Sequence, residues 1–138
     1  MYNSSRLTNF YSYSLTILFF VIVGFCPLYA QCDCDYNIPP NQYEIDGNAI
    51  GIQPGDVMCF QAGNFNNKLI RNINGTAENP VILKNCGGLA LFDLASSKSF
   101  GIKIRSSSHF RLTGTGDPNI DYGIEVDGPN VGIDIGGT

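Results

Sequence analysis

One short phrase is written three times between residues 100 and 135: Phe100-Gly101-Ile102-Lys103-Ile104, Tyr122-Gly123-Ile124-Glu125-Val126 and Val131-Gly132-Ile133-Asp134-Ile135. In each copy an apolar or aromatic residue precedes glycine, and two β-branched residues then flank one charge. This period-2 alternation is that of a strand with one buried face. The first two copies begin 22 residues apart. Internal similarity at a period of about 20 to 50 residues points to an architecture that stacks coil upon coil.

The same alternation marks further strands upstream. Ile52-Gln53-Pro54-Gly55-Asp56 places Pro and Gly at the two central positions of a type II turn, and Met58 and Phe60 then alternate into a strand that Ala62-Gly63-Asn64 closes. Tyr43-Glu44-Ile45, Leu69 to Ile73, Val81-Ile82-Leu83, Leu91 to Leu94 and Phe110-Arg111-Leu112 read as strands, with Asn85-Cys86-Gly87-Gly88 as a turn. Gly114-Thr115-Gly116-Asp117-Pro118 contains a Gly-x-Gly. No third glycine and no helix follow it, which excludes a dinucleotide-binding turn.

Aligned by their apolar residues, the strands fall into two series. Met58, Val81, Ile102 and Ile124 form one; Ile70, Phe92, Phe110 and Ile133 form the other. Steps of roughly 22 residues predict a solenoid of about three and a half coils, with parallel strands stacked about 4.8 Å apart. In this register Ile102 lies beside Ile124, an outward column reads Arg71, Asp93, Arg111, Asp134, and Lys103 lies above Glu125. Alternating signs in such a column are favourable by some tenths of a kcal/mol each.

Composition supports an all-β chain. Sixteen glycines and seven prolines accompany only 14% charged residues, and no amphipathic helical pattern occurs beyond the N-terminal segment. That segment carries no charge between Arg6 and Asp33, and its apolar run Leu15 to Cys26 ends at Pro27-Leu28-Tyr29-Ala30. It reads as a signal helix over 1–30, cleaved after Ala30 so that Gln31 begins the mature chain; an uncleaved membrane anchor is the alternative. Residues 31–52 then form a lead-in or N-terminal cap, and 53–138 form the coils. The expected location is exported: periplasmic, cell-surface or extracellular.

Without residues 1–30, seven Lys and Arg face twelve Asp and Glu, a net charge of −5. An acidic chain gains nothing from phosphate counterion release, so nucleic acid is excluded as a partner, and membrane contact is confined to the N-terminal segment. Cys32, Cys34, Cys59 and Cys86 allow three disulfide pairings. The Cys32-x-Cys34 spacing lacks the second pair that a zinc site needs.

Gln53-Pro54-Gly55-Asp56, Gln61-Ala62-Gly63, Asn74-Gly75-Thr76-Ala77-Glu78-Asn79-Pro80-Val81 and Lys84-Asn85-Cys86-Gly87-Gly88 together resemble the opening coils of secreted bacterial right-handed parallel β-helix proteins of the pectate-lyase-like superfamily. The resemblance covers roughly Cys32 to Thr138, and its first part is similar to chondroitinase-B-like and alginate-lyase-like enzymes. It implies a right-handed parallel β-helix, continued beyond Thr138, in a protein that binds or degrades polysaccharide, with acidic polysaccharide or another glycan as partner. Lyases of this kind carry their catalytic residues on later coils, so the resemblance transfers no catalytic residue. A non-enzymatic adhesin or structural solenoid that binds glycan or protein is the rival reading.

The residues themselves offer little chemistry. Lyase action needs a cation at a uronate carboxylate and a base at the neighbouring carbon; Lys103, Arg105, His109 and Arg111 are the available groups. A glycoside hydrolase needs two carboxylates about 5 to 10 Å apart. Asp93 and Asp134 share a column in the expected register with Arg111 between them, while Glu125 falls on another wall, so no pair is identified. Asp117, Asp121 and Asp127 offer oxygens for calcium without matching a defined loop, and no other cofactor is expected. Tyr122, if outward, is the residue that favours glycan binding.

Overall fold

The computed structural model describes residues 32–95 and 98–137. The expected signal helix over 1–30, and Ser96 and Ser97 of the loop before Phe100, lie outside the described residues. Nine strands and one short helix follow in order: β1 (Tyr36–Asn37), β2 (Glu44–Asp46), α1 (Gly47–Ile50), β3 (Val57–Asn64), β4 (Lys68–Arg71), β5 (Val81–Asp93), β6 (Ile102–Arg105), β7 (Phe110–Thr113), β8 (Ile124–Asp127) and β9 (Ile133–Gly136). Every pairing between them is parallel. One sheet runs β1-β3-β5-β7 with β8 also on β5, and the other runs β2-β4-β6-β9, so the chain alternates between the two sheets from β1 to β7, adds β8 to the first sheet and ends in the second.

Local chemistry sets the element ends. Asp46 accepts from the Asn48 amide to start α1, and Gly51 at φ 78° ends it. The type II turn forms as expected: Gly55 has φ 95°, Asp56 N donates to the Gln53 carbonyl at 3.1 Å, and the Asp56 carboxylate accepts from Gln53 N at 2.8 Å.

β5 departs from expectation. Asn85 to Gly88 does not end the strand but bends it, because Gly87 (φ 67°) and Gly88 (φ 137°) turn the backbone while the ladder to β3 slips and resumes at Gly63↔Ala90. The bent strand of 13 residues carries β7 on its first half and β8 on its second.

The register also differs from the 22-residue scheme. Met58 neighbours Leu83 and Leu83 neighbours Leu112 in one sheet; Ile45, Ile70, Ile104 and Ile135 form a column in the other. Ile102 sits between Lys68 and Ile133, and Ile124 beside Ala90, so Ile102 and Ile124 are not neighbours. The reason is unequal loop length: Ile45 to Ile70 takes 25 residues but Ile70 to Ile104 takes 34. The first and third copies of the repeated phrase stack directly, while the second lies in the other sheet.

The charge columns are redrawn accordingly. Arg71 pairs with Glu44 at 2.5 Å and Asp46 at 3.3 Å, whereas Lys103 and Arg105 both hold Asp134, at 3.3 and 2.6 Å. Arg71 and Arg105 are direct neighbours in register and turn to opposite sides for their acids. Glu125 neighbours Leu91 and Asp93 neighbours Asp127, so neither joins these clusters.

A single core lies between the sheets. Ile45, Ile70, Ile102 and Ile104 meet Met58, Phe60, Val81, Leu83 and Phe92 there, all fully buried. Phe60 packs edge-on against Phe65 and Phe92, with centroids 5.5 and 5.6 Å away, and Phe65 stacks on Phe92 at 5.2 Å. Toward the last strands burial declines: Ile124 and Val126 are half-buried, and Ile133 and Ile135 are 45% and 60% exposed. Two disulfides, Cys32–Cys86 and Cys34–Cys59, tie the start of the described chain to β5 and β3 and fit an oxidising environment.

Candidate functional site

A cleft of ≈ 330 Å³ is lined by Leu112, Thr113, Gly114, Thr115, Asp121, Tyr122, Gly123, Ile124 and Ile133. Its floor is apolar, from Leu112, Ile124 and Ile133. Hydroxyls and one carboxylate, from Thr113, Thr115 and Asp121, supply its polar groups. Tyr122 stands at its edge with 80% of its surface exposed.

Asn85 builds this cleft from beneath. Its side chain is fully buried at the bend of β5, where Nδ2 donates to the Gly88 carbonyl at 2.9 Å and Oδ1 accepts from Gly116 N at 2.7 Å. A Cβ on Gly116 or Gly123 would collide with Asn85. Glycine at both positions therefore lets the 114–123 loop fold down on the amide. Gly123 O also accepts from Ala90 N at 2.9 Å, which fixes the residue after Tyr122 to β5. At the other edge Thr113 and Thr115 hydroxyls share a hydrogen bond of 2.8 Å.

The cations considered for lyase chemistry are not brought together. Lys103 lies over the Phe100 ring, 4.4 Å from its centroid, and pairs with Asp134. Arg105 also donates to the carbonyls of Ile104 and Asp134 at 2.9 and 3.2 Å. The Arg105 guanidinium, with Lys103 adding to it, holds the Asp134 carboxyl below the usual carboxylate range. Arg111 is exposed on β7, and His109 is exposed at a turn with φ 48°.

The acids fare similarly. Asp93 and Asp134 lie in different sheets, which removes the shared column expected for them. Asp117 is engaged by the backbone and side chain of Asn119, both at 2.9 Å, Asp121 lines the cleft, and Asp127 neighbours Asp93. Among the described residues, three or more metal-ligating side chains converge only at Cys32, Cys34 and Cys86, whose sulfurs are already in disulfides.

Sequence reasoning singled out Tyr122 but missed Asn85, Thr113 and Thr115. The signal was the glycine pair Gly114 and Gly116, read there as a plain turn. No family model matches this chain, and neither a curated protein nor a solved structure does.

Proposed function

We propose that this chain forms the first coils of an exported right-handed parallel β-helix of the pectate-lyase-like kind, and that the cleft beside Tyr122 binds a glycan. The alternation of strands between two all-parallel sheets from β1 to β7 supports the helical winding, since each return of the chain lays a parallel strand on the one before; β7 and β8 together cover the bent β5 before β9 extends the other sheet. The two disulfides support export to a periplasmic, cell-surface or extracellular setting.

Exposed Tyr122 beside a cleft of hydroxyls and a carboxylate carries the glycan reading. A large aromatic face left in water is a platform for the apolar face of a sugar ring, while Asp121, Thr113 and Thr115 accept from or donate to its hydroxyls. Asp121 is the charged residue of the lining, so a neutral, hydroxyl-rich sugar fits better than a uronate. With Lys103 and Arg105 occupied by Asp134, binding is favoured over lyase chemistry in these coils.

The test is titration of the chain with neutral and uronate-containing oligosaccharides, beside an assay for unsaturated uronates on pectate, alginate and chondroitin. Neutral oligosaccharides should bind, and Tyr122→Ala should weaken them on the order of tenfold. Unchanged affinity in that variant, or release of unsaturated uronates by the chain, refutes the reading.

A further inference from the structure

The two disulfides meet on the outer face of the sheet that holds β3 and β5. Met58 and Leu83 are in register and buried inside, so Cys59 and Lys84, the next pair along, point the other way. The sulfurs of Cys32, Cys34 and Cys86 all lie within 4.8 Å of one another. Cys34 of one bridge is therefore set against both sulfurs of the other, while Cys59 Sγ stands outside this group.

Register confines Cys59 to one partner. Cys59 lies opposite Lys84, and Cys86 lies opposite Gln61, two residues further along the same ladder. An offset of two residues on adjacent strands separates the Cα atoms by about 8 Å, too far for a bridge. Burial divides the sulfurs again: Cys59 and Cys86 are 0% and 4% exposed, whereas Cys32 and Cys34 are half-buried and within reach of a dissolved thiol. Asp33 and Asp35 flank Cys34 on both sides and repel an incoming thiolate, which leaves Cys32 as the point of entry. Lys84 pairs with no carboxylate among the described residues and favours negative charge at Cys59, while the neighbour of Cys86 is the neutral Gln61.

We propose that the four cysteines form a thiol-exchange site that takes up a small neutral monothiol at Cys32 and relays the break to Cys59. The thiolate R–S⁻ attacks Cys32 Sγ, forms a mixed disulfide there and expels Cys86 as a thiolate. Cys86 then attacks Cys34 Sγ, forms Cys34–Cys86 and expels the Cys59 thiolate beside Lys84. Two S–S bonds stand before and after, one negative charge is carried through both steps, and no oxidant or reductant is consumed. The tie of the lead-in to β3 is thereby exchanged for a tie to β5. None of these residues lines the Tyr122 cleft, so the site is independent of the glycan reading.

The test is to incubate the chain with mercaptoethanol, quench in acid, alkylate with N-ethylmaleimide in denaturant and map the linkages by peptide mass spectrometry. The product should carry mercaptoethanol on Cys32, a Cys34–Cys86 bond and maleimide on Cys59. Cys59→Ser and Cys34→Ser remove the same bridge, so a difference between them reports position and not stability. Without added thiol, Cys59→Ser should spread its remaining bridge over Cys32, Cys34 and Cys86, whereas Cys34→Ser should keep Cys32–Cys86 intact. Bridges that open independently, with Cys34–Cys59 retained beside a Cys86 thiol or with mercaptoethanol on Cys34, overturn the proposal. So does a Cys59→Ser chain that holds Cys32–Cys86 alone, or a Cys34→Ser chain that rearranges as far.

Discussion

Lys68 points inward from β4 with none of its surface exposed, in register with the fully buried Ile102 of β6. Its ammonium donates to the Pro40 carbonyl at 2.6 Å and lies 5.6 Å from the Phe65 centroid; no carboxylate pairs with it among the described residues. Burial pushes its pKa down from 10.5 to about 8. The unfolded chain thus binds a proton more readily between those two values, so stability rises with pH across that window and the penalty is fully present below it. At about 1.4 kcal/mol per unit, the charged form costs roughly 3 kcal/mol at neutral pH. Lys68→Met removes that cost together with one of two donors to the Pro40 carbonyl, which keeps Asn66 N at 3.2 Å, a loss of about 1 kcal/mol, so net stability at pH 7 should rise by about 2 kcal/mol. The sharper readout is slope. Urea unfolding at pH 7 and pH 10 should show the wild type gaining about 2 to 3 kcal/mol more than the variant. Parallel pH profiles would refute the reasoning.

Two further outcomes follow from the fold. Replacing Cys34 and Cys59 together by Ser should lower stability by about 3 kcal/mol, because the bridge closes a 25-residue loop; the other bridge encloses that loop, so removing both should cost less than twice as much, as denaturant titration of each variant would record. Asn85→Leu should cost about 2 to 4 kcal/mol, because Gly88 O and Gly116 N lose their partners in a buried site; hydrogen exchange at Gly116 should accelerate more than at Ile104, and equal protection would place the loss elsewhere.

Strand positions were legible because most strands alternate apolar residues with polar ones, and eight of the nine begin near residues that this pattern marks. Register was not, since it depends on how many residues the loops consume. Phe110 and Ile133 looked equivalent by spacing yet sit in different sheets. The bend in β5 was hidden because Asn-Cys-Gly-Gly has the composition of a turn whether or not the ladder continues through it. Lys68 was overlooked because a lysine beside Leu69 suggests a solvated strand end, and only tertiary packing takes it inside. The cleft was half legible: an outward, exposed Tyr122 was foreseeable, whereas Asn85 is separated from Gly116 by 31 residues and nothing local links them.

The branched pairing of β5 has consequences for how this chain tolerates insertions and deletions. Because one bent strand fixes the positions of both β7 and β8, a single residue inserted between Ala90 and Phe92 would move Phe92 off the inner face and break its match to Val126. The same insertion in the connection between β7 and β8 would displace neither, since each is registered to β5 and not to the other. Length variation among chains built this way should therefore collect in residues 117–122, past the Gly116 contact with Asn85, and avoid 81–93. The outer part of the loop that shapes the cleft is thus free to change length while its base is held.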